Sequence, residues 1–270
     1  MKFTVLGATG FIGSHLVASL EAAGHRVAAP ARGDPSVFSD DLGHAFYCIG
    51  LTADFRRRPF DTAEAHVCLL AEVLKRARFD SLLYLSSTRV YGRSESAHET
   101  ALVAADVGDS GDLYNLTKLL GESLCLHGGR EGVRVARVSN VYGGDFDSDN
   151  FLASILRDAI DDGKVVLRTS ADSAKDYLSI GDLVALLPRI AVGGRHRIYN
   201  VASGVNLSHR QILQRLSEIT GCRFEVPADA QAMRFPPIRI DRIREEFGFG
   251  AVSLLDDLPS LVEQFRAEMT

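Results

Sequence analysis

The chain is expected to be an α/β protein built on a doubly wound parallel sheet with a small C-terminal lobe. Three observations predict this. Apolar strand-like runs alternate with amphipathic helix-like runs through the first half of the chain. Three glycines spaced three apart follow the first strand directly, and a helix follows them. Beyond Tyr142 the alternation gives way to shorter, more irregular pieces.

In chain order, Lys2-Phe3-Thr4-Val5-Leu6 is the first strand, Gly7-Ala8-Thr9-Gly10-Phe11-Ile12-Gly13 the turn, and residues 14–23 the first amphipathic helix. Residues 24–30 and 44–49 read as strands, 61–78 as a long helix, 81–86 as a strand, 113–127 as a helix and 133–138 as a strand. Only eleven residues separate Arg32 from the strand at His44. A parallel crossover alone needs at least about ten to twelve, so one strand-helix unit of a full Rossmann body is missing or vestigial. Past Tyr142 come a helix over 150–161, a short strand over 165–168, a helix over 182–192, a strand over 198–201 and a helix over 208–220. With Arg234-Phe235-Pro236-Pro237 and residues 243–247 they make the smaller lobe. The division expected is an NAD(P)-binding Rossmann body over 1–142 and a mainly substrate-binding lobe over 143–270, with late sheet elements interleaved at 168–202. The lobe should face the carboxyl ends of the strands, where open α/β sheets bind ligands.

The glycine turn has the make-up of a dinucleotide cradle. One glycine permits the tight turn out of the strand, another lets backbone approach a pyrophosphate, and the last lets the helix pack on the sheet while its N-terminal N–H groups face the phosphates. Gly7, Thr9, Gly10, Phe11, Ile12 and Gly13 are therefore the candidate cofactor contacts. The end of the second strand selects the dinucleotide: an acid accepts hydrogen bonds from the adenosine ribose, whereas an arginine pairs with a 2′-phosphate. Ala31-Arg32 occupies that place and favours NADP over NAD. Arg32 as a solvated loop charge, with Asp34 taking the ribose of NAD, stays open as the alternative.

A net charge of −5 and the lack of basic clusters interleaved with aromatics argue against a nucleic-acid partner. Arg56-Arg57-Arg58 is the sole basic run and reads as a solvated loop, or as a cover for a cofactor phosphate. Cys48, Cys68, Cys125 and Cys222 form no C-x-x-C pair, and the eight histidines show no metal-ligand spacing. No metal is expected, and each histidine reads as a surface or helix-end residue. No apolar run approaches about twenty residues and the chain opens on a strand, so a cytoplasmic protein without a membrane partner is expected.

The chemistry is expected in two places. Tyr114 and Lys118 stand at i and i+4 on one helix face, where an ammonium can lower the phenol pKa and let Tyr114 exchange a proton with a substrate oxygen. Ser86-Ser87-Thr88 ends the strand Leu82-Leu83-Tyr84-Leu85 and supplies hydroxyls beside the expected nicotinamide. Hydride transfer asks little more of the protein than position and a proton.

These features, with Leu85-Ser86-Ser87-Thr88-Arg89-Val90-Tyr91-Gly92, Gly121-Glu122, Arg137-Val138-Ser139-Asn140-Val141-Tyr142-Gly143, Lys175-Asp176-Tyr177 and Tyr199-Asn200-Val201-Ala202-Ser203, resemble the extended short-chain dehydrogenase/reductases, the nucleotide-sugar epimerase/dehydratase group. The resemblance covers nearly the whole chain. It implies Ser87 as the hydroxyl of a catalytic triad, Tyr114 as the acid/base and Lys118 as the residue that binds the ribose and tunes the phenol. It also implies Asn140, Asn150, Lys175 and Arg234 as contacts to the substrate's nucleotide diphosphate, with Thr88 as a further substrate contact. Lys175 stands where many relatives place an arginine, keeping the charge but losing the bidentate fork. The sugar 4,6-dehydratases that this chain resembles carry an acidic pair after the position of Ser87; Thr88 and Arg89 fill those slots, which argues against elimination.

The resulting expectation is an NAD(P)-dependent reductase of a keto group on a nucleotide-linked sugar. Its alternatives are a nucleotide-sugar 4-epimerase with retained NAD and, from another class, a non-catalytic cofactor-binding regulator. A homodimer built from helices 61–78 and 113–127 is expected from the same resemblance. The identity of the sugar, its nucleotide and the carbon attacked do not follow from these residues.

Overall fold

A computed structural model describes the chain from residue 1 to 268 apart from residues 53, 149, 227–229 and 234. The strands in chain order are β1 (Lys2–Leu6), β2 (Arg26–Ala28), β3 (His44–Tyr47), β4 (Ser81–Ser87), β5 (Val133–Val138), β6 (Asn140–Tyr142), β7 (Lys164–Val166), β8 (Ala174–Ser179), β9 (Ile198–Val201), β10 (Asn206–Ser208) and β11 (Arg223–Glu225). The helices are α1 (Phe11–Ala22), α2 (Ser36–Ser39), α3 (Pro59–Ala63), α4 (Leu69–Arg76), α5 (Leu113–His127), α6 (Phe151–Asp161), α7 (Ile180–Gly193), α8 (His209–Thr220), α9 (Asp241–Phe247) and α10 (Leu254–Glu268). A π-helical turn over Glu64–Cys68 joins α3 to α4, so the long helix expected over 61–78 begins at Pro59, ends at Arg76 and is interrupted midway.

Six strands form the expected parallel sheet in the order β2-β1-β3-β4-β5-β9. The central strand β4, Ser-Leu-Leu-Tyr-Leu-Ser-Ser, is buried along all but its last residue, as a parallel strand covered on both faces must be. The connection from β2 to β3 holds only the four-residue α2. Among the described residues no further strand pairs outside β2, which is the physical form of the shortened unit.

Each face of the sheet carries its own core. Phe3, Val5, Leu16, Leu83, Leu183, Leu187, Ile190 and Val201 pack α1 and α7 on one side. Tyr47, Leu70, Val73, Tyr84, Cys125 and Val133 pack α4 and α5 on the other. The close fit of α5 rests on Gly121, where a Cβ would lie 2.5 Å from Tyr84 Oη and 2.9 Å from the His66 carbonyl.

A third core, with Leu152, Leu156, Val165, Leu213, Leu258 and Val262, unites α6, α8 and α10 with β7. Around it lie the small sheets β10-β8-β6 and β11-β7. Strand β6 begins two residues after β5 ends, so this part grows from the carboxyl edge of the main sheet. The three-residue strands β6, β10 and β11 are too short to show alternation in sequence, and α10 holds Pro259 within its span. Among the described residues no helix is long and apolar enough to cross a membrane.

A buried polar network braces the sheet beneath the carboxyl end of β4. Arg137 on β5 forms an ion pair with Glu122 on α5 at 2.6 Å, and Ser86 donates to the same carboxylate. Arg137 also donates to the Tyr91 hydroxyl at 2.7 Å, and that hydroxyl donates to Asn200 Oδ1 at 2.8 Å. The chain of bonds ties β4, β5, β9 and α5 together, and each partner satisfies another that would otherwise be buried alone.

Candidate functional site

The first part of the site is the turn between β1 and α1. Gly7 adopts a φ of +90°, in the region that favours glycine. A Cβ on Gly13 would lie 2.2 Å from the Gly7 carbonyl oxygen, so the helix can approach the turn only with glycine there. Gly10 caps α1 without a side-chain hydrogen bond, a Cβ added to it would meet only Gly7 O at 3.6 Å, and the first turn carries no acid. Thr9 and Gly10 are exposed, and Phe11 and Ile12 are half-buried behind them. The donors of the helix start, with no competing carboxylate, fit the pyrophosphate of a dinucleotide.

Arg32 is exposed in the turn after β2, on the strand next to β1. Asp34 is already engaged: its Oδ1 accepts from Ser36 N at 2.8 Å, a bond that holds its carboxyl below the ordinary range.

The second part is the carboxyl end of β4 facing α5. The Ser87 hydroxyl and the Tyr114 phenol face each other there, close enough for the serine to pull the phenol pKa down. Tyr114 is buried, with Phe55 at 5.6 Å and His66 edge-on at 5.2 Å between ring centroids. Lys118 lies one turn further along α5, its Nζ donating to Leu85 O at 2.9 Å and standing 5.8 Å from the Tyr114 ring centroid. Thr88 is buried at the start of a 3₁₀ turn, Thr88–Arg93.

The electrostatics differ from expectation in one respect. Burial raises the Tyr114 phenol above its ordinary value, and the Ser87 hydroxyl and the charge of Arg89 work against that rise. Burial also lowers the pKa of Lys118 to about 8, against the raising effect of Glu122. The resting phenol therefore carries its proton at neutral pH.

The remaining residues lie on the lobe. Asn140 donates through Nδ2 to Asp176 O at 2.8 Å, and Asn150 caps α6 by accepting from Ala153 N at 2.9 Å. Lys175, on β8, is half-buried, and burial followed by the nearby charge of Arg89 lowers its pKa. Arg234 lies outside the described residues.

His66 and His209 are buried, contrary to the expectation that every histidine is a surface or helix-end residue; His209 opens α8 but points inward. The π-helical turn carries His66 inward, where Leu51 N–H donates to its Nε2 at 3.1 Å and its Nδ1 lies 2.8 Å from Thr117 Oγ1. Burial, with the charge of Lys118 second, drops its pKa to about 3, so it serves as a neutral spacer. Its inward placement follows from the π turn, which has no sequence signature.

Sheet order, glycine turn and the placement of the site at the carboxyl ends of the strands define a Rossmann-fold protein. The chain belongs to the NAD dependent epimerase/dehydratase family, whose model matches residues 3–58 and 54–202. It is 30% identical to a GDP-6-deoxy-D-mannose reductase of Pseudomonas aeruginosa over 264 residues, covering 86% of this chain and 84% of that one. Among solved structures, RMD from Pseudomonas aeruginosa complexed with NADPH superposes with a TM-score of 0.81 at 24% identity, over 99% of this chain and all of the other. MoeE5, solved with NAD and UDP-glucose, gives a TM-score of 0.83 at 19% identity with both chains fully covered. The same protein has also been solved with NAD and UDP-glucuronic acid.

Proposed function

We propose that this chain is an NADP-dependent oxidoreductase that reduces a keto group on a nucleotide-linked sugar. The observation that carries the reading is the approach of the Ser87 hydroxyl to the Tyr114 phenol at the carboxyl end of β4, with the Lys118 ammonium 5.8 Å from the phenol ring. The reductase identity of the 30% relative supports the direction. So does the phenol, which burial keeps protonated and hence ready to donate.

When bound, the nicotinamide supplies the hydride. The Ser87 hydroxyl holds the substrate's keto oxygen, and Tyr114 delivers its proton to that oxygen as negative charge develops. Lys118 binds the nicotinamide ribose. Gly7, Thr9, Gly10, Phe11, Ile12 and Gly13 hold the pyrophosphate end, and Arg32 pairs with the 2′-phosphate of NADP. The engagement of Asp34 with Ser36 supports that choice over the ribose of NAD.

On the substrate side, Thr88, Asn140, Asn150, Lys175 and Arg234 receive the nucleotide sugar, and residues 143–270 act mainly as its binding lobe. Two chains pair through the helices over 59–76 and 113–127. Exposed Phe60 on α3 and Leu120 on α5 support that pairing.

The test is NADPH absorbance in the presence of nucleoside-diphosphate 4-keto sugars. Stoichiometric oxidation of NADPH with formation of the hydroxyl sugar is the expected result. Interconversion of hydroxyl epimers with no net change in cofactor would replace it with a 4-epimerase, and binding without turnover would replace it with a regulator.

A further inference from the structure

One cation, Arg89, stands beside the Tyr114 ring, and two more, Arg56 and Lys175, lie near enough to act on it or feel its charge. Arg89 lies two residues after Ser87, its Cζ 5.6 Å from the Tyr114 ring centroid and 5.1 Å from that of Phe55. Arg56 stands on the same Phe55 ring at 4.6 Å, and Lys175 approaches from β8 closely enough for Arg89 to lower its pKa. The pKa of Arg89 is itself depressed, by burial first and by Arg56 second.

The two acids whose charge acts on Arg89 are Asp112 and Asp109, and both are ion-paired with Arg93, at 2.5 and 2.6 Å. Among the described residues no carboxylate comes within the 4.0 Å ion-pair limit of Arg56, Arg89 or Lys175. Arg89 gives one hydrogen bond, Nη2 to Gly111 O at 3.2 Å, from a group able to donate several. Arg89 is half-buried beside the exposed Arg56 with a carboxylate paired to neither, and a desolvated cation next to a candidate proton donor marks a place for an anion.

We infer that Arg89, backed by Arg56, receives an anionic substituent on the sugar ring that reacts at Tyr114, so that the substrate is an acidic nucleotide sugar of the uronate type. The inference rests on the nucleotide-sugar reading above. A carboxylate and a phosphate both suit a guanidinium fork, and position decides between them. Arg89 touches the ring of the proton donor and therefore serves the reacting end of the substrate. Lys175, set back on the lobe, is placed for the diphosphate. A neutral hexose would leave Arg89 buried against it with no counter-charge, so the site discriminates by repelling wrong substrates as well as by attracting the right one.

Binding measured by calorimetry with NADP present tests this on matched pairs: UDP-glucuronic acid against UDP-glucose, and GDP-mannuronic acid against GDP-mannose, with UDP and GDP alone as controls. In wild type the acidic sugar of at least one pair should bind about tenfold or more tighter than its neutral partner, the range of a charge-assisted contact. Arg89→Gln should bring that ratio close to one, and Arg89→Lys should restore part of it. A ratio near one in wild type for both pairs, with the sugars clearly bound, overturns the inference and leaves the nucleotide-sugar reading standing. Equal weakening of the acidic sugar and of free UDP or GDP by Arg89→Gln assigns Arg89 to the diphosphate and also overturns it. If no nucleotide or nucleotide sugar binds wild type, the reading and the inference fall together.

Discussion

Lys118 is held in a place that costs the protein stability, and the cost can be measured. The residue is 4% exposed, its ammonium donates to Leu85 O, and burial lowers its pKa from 10.5 to about 8. In the unfolded chain the amine regains its ordinary value. Between those two values the unfolded state therefore binds more protons than the native state, so stability rises with pH across this window. The full drop corresponds to about 3 kcal/mol, a cost present in full below the native pKa and relieved by about pH 10.5. Lys118→Met keeps the length of the side chain and removes the titration, while the lost bond to Leu85 O adds only an offset independent of pH. Urea unfolding of both proteins at a series of pH values gives the difference in stability, wild type minus variant. That difference should be flat below about pH 7 and climb by about 2–3 kcal/mol toward about pH 10. Parallel curves would refute the buried-ammonium account. In kinetic assays the same variant should lose cofactor affinity as well as turnover; loss of turnover alone would remove Lys118 from the ribose.

Tyr114→Phe should retain cofactor affinity and fold but reduce turnover by about two to four orders of magnitude, read by steady-state kinetics with NADPH. Near-parental turnover would place the proton source elsewhere. Arg32→Ala should weaken NADP by about tenfold or more, the loss of a charge-assisted contact worth about 1.5–3 kcal/mol, with little effect on NAD. Equal loss for both in a binding titration would show that Arg32 does not read the 2′-phosphate. Sedimentation at micromolar concentration should show a dimer that Leu120→Glu dissociates, because Leu120 is 50% exposed on α5 and a charge there would have to be buried between chains. A single species near 29.3 kDa for the parent protein would rule the pairing out.

Much of the fold was legible because it obeys strong local rules. The continuous apolar run of β4 and the glycine turn before α1 have few competing readings, and the eleven-residue interval after Arg32 was too short for a full crossover. The lobe was less legible, since β6, β10 and β11 are three residues each and owe their existence to partners far away in sequence. The direction of the phenol's shift lies outside what spacing can tell, for a related reason. Spacing puts Tyr114 and Lys118 on one helix face, but the depth of burial, which decides the direction of both pKa shifts, is a property of the packed molecule.

The motif residues themselves divide into two kinds of work. Glu122, Arg137, Tyr91 and Asn200 come from four separate motifs, yet none lies among the groups placed to touch substrate or cofactor; they join in one buried network under β4. Asp176 belongs with them, accepting from the backbone N–H groups of Ser203, Gly204 and Val205 and so fixing the loop after β9. Such charges are costly to bury, and they persist here because each is satisfied by another. Their effect is to hold the carboxyl end of β4 at a fixed height against α5, which is what brings a serine at the strand end up to a tyrosine on the helix. Arg89 takes part in none of this bracing. It lies on the rim of the scaffold with its charge unpaired, and a cation left in that state beside the Tyr114 phenol is where the choice of substrate would be made.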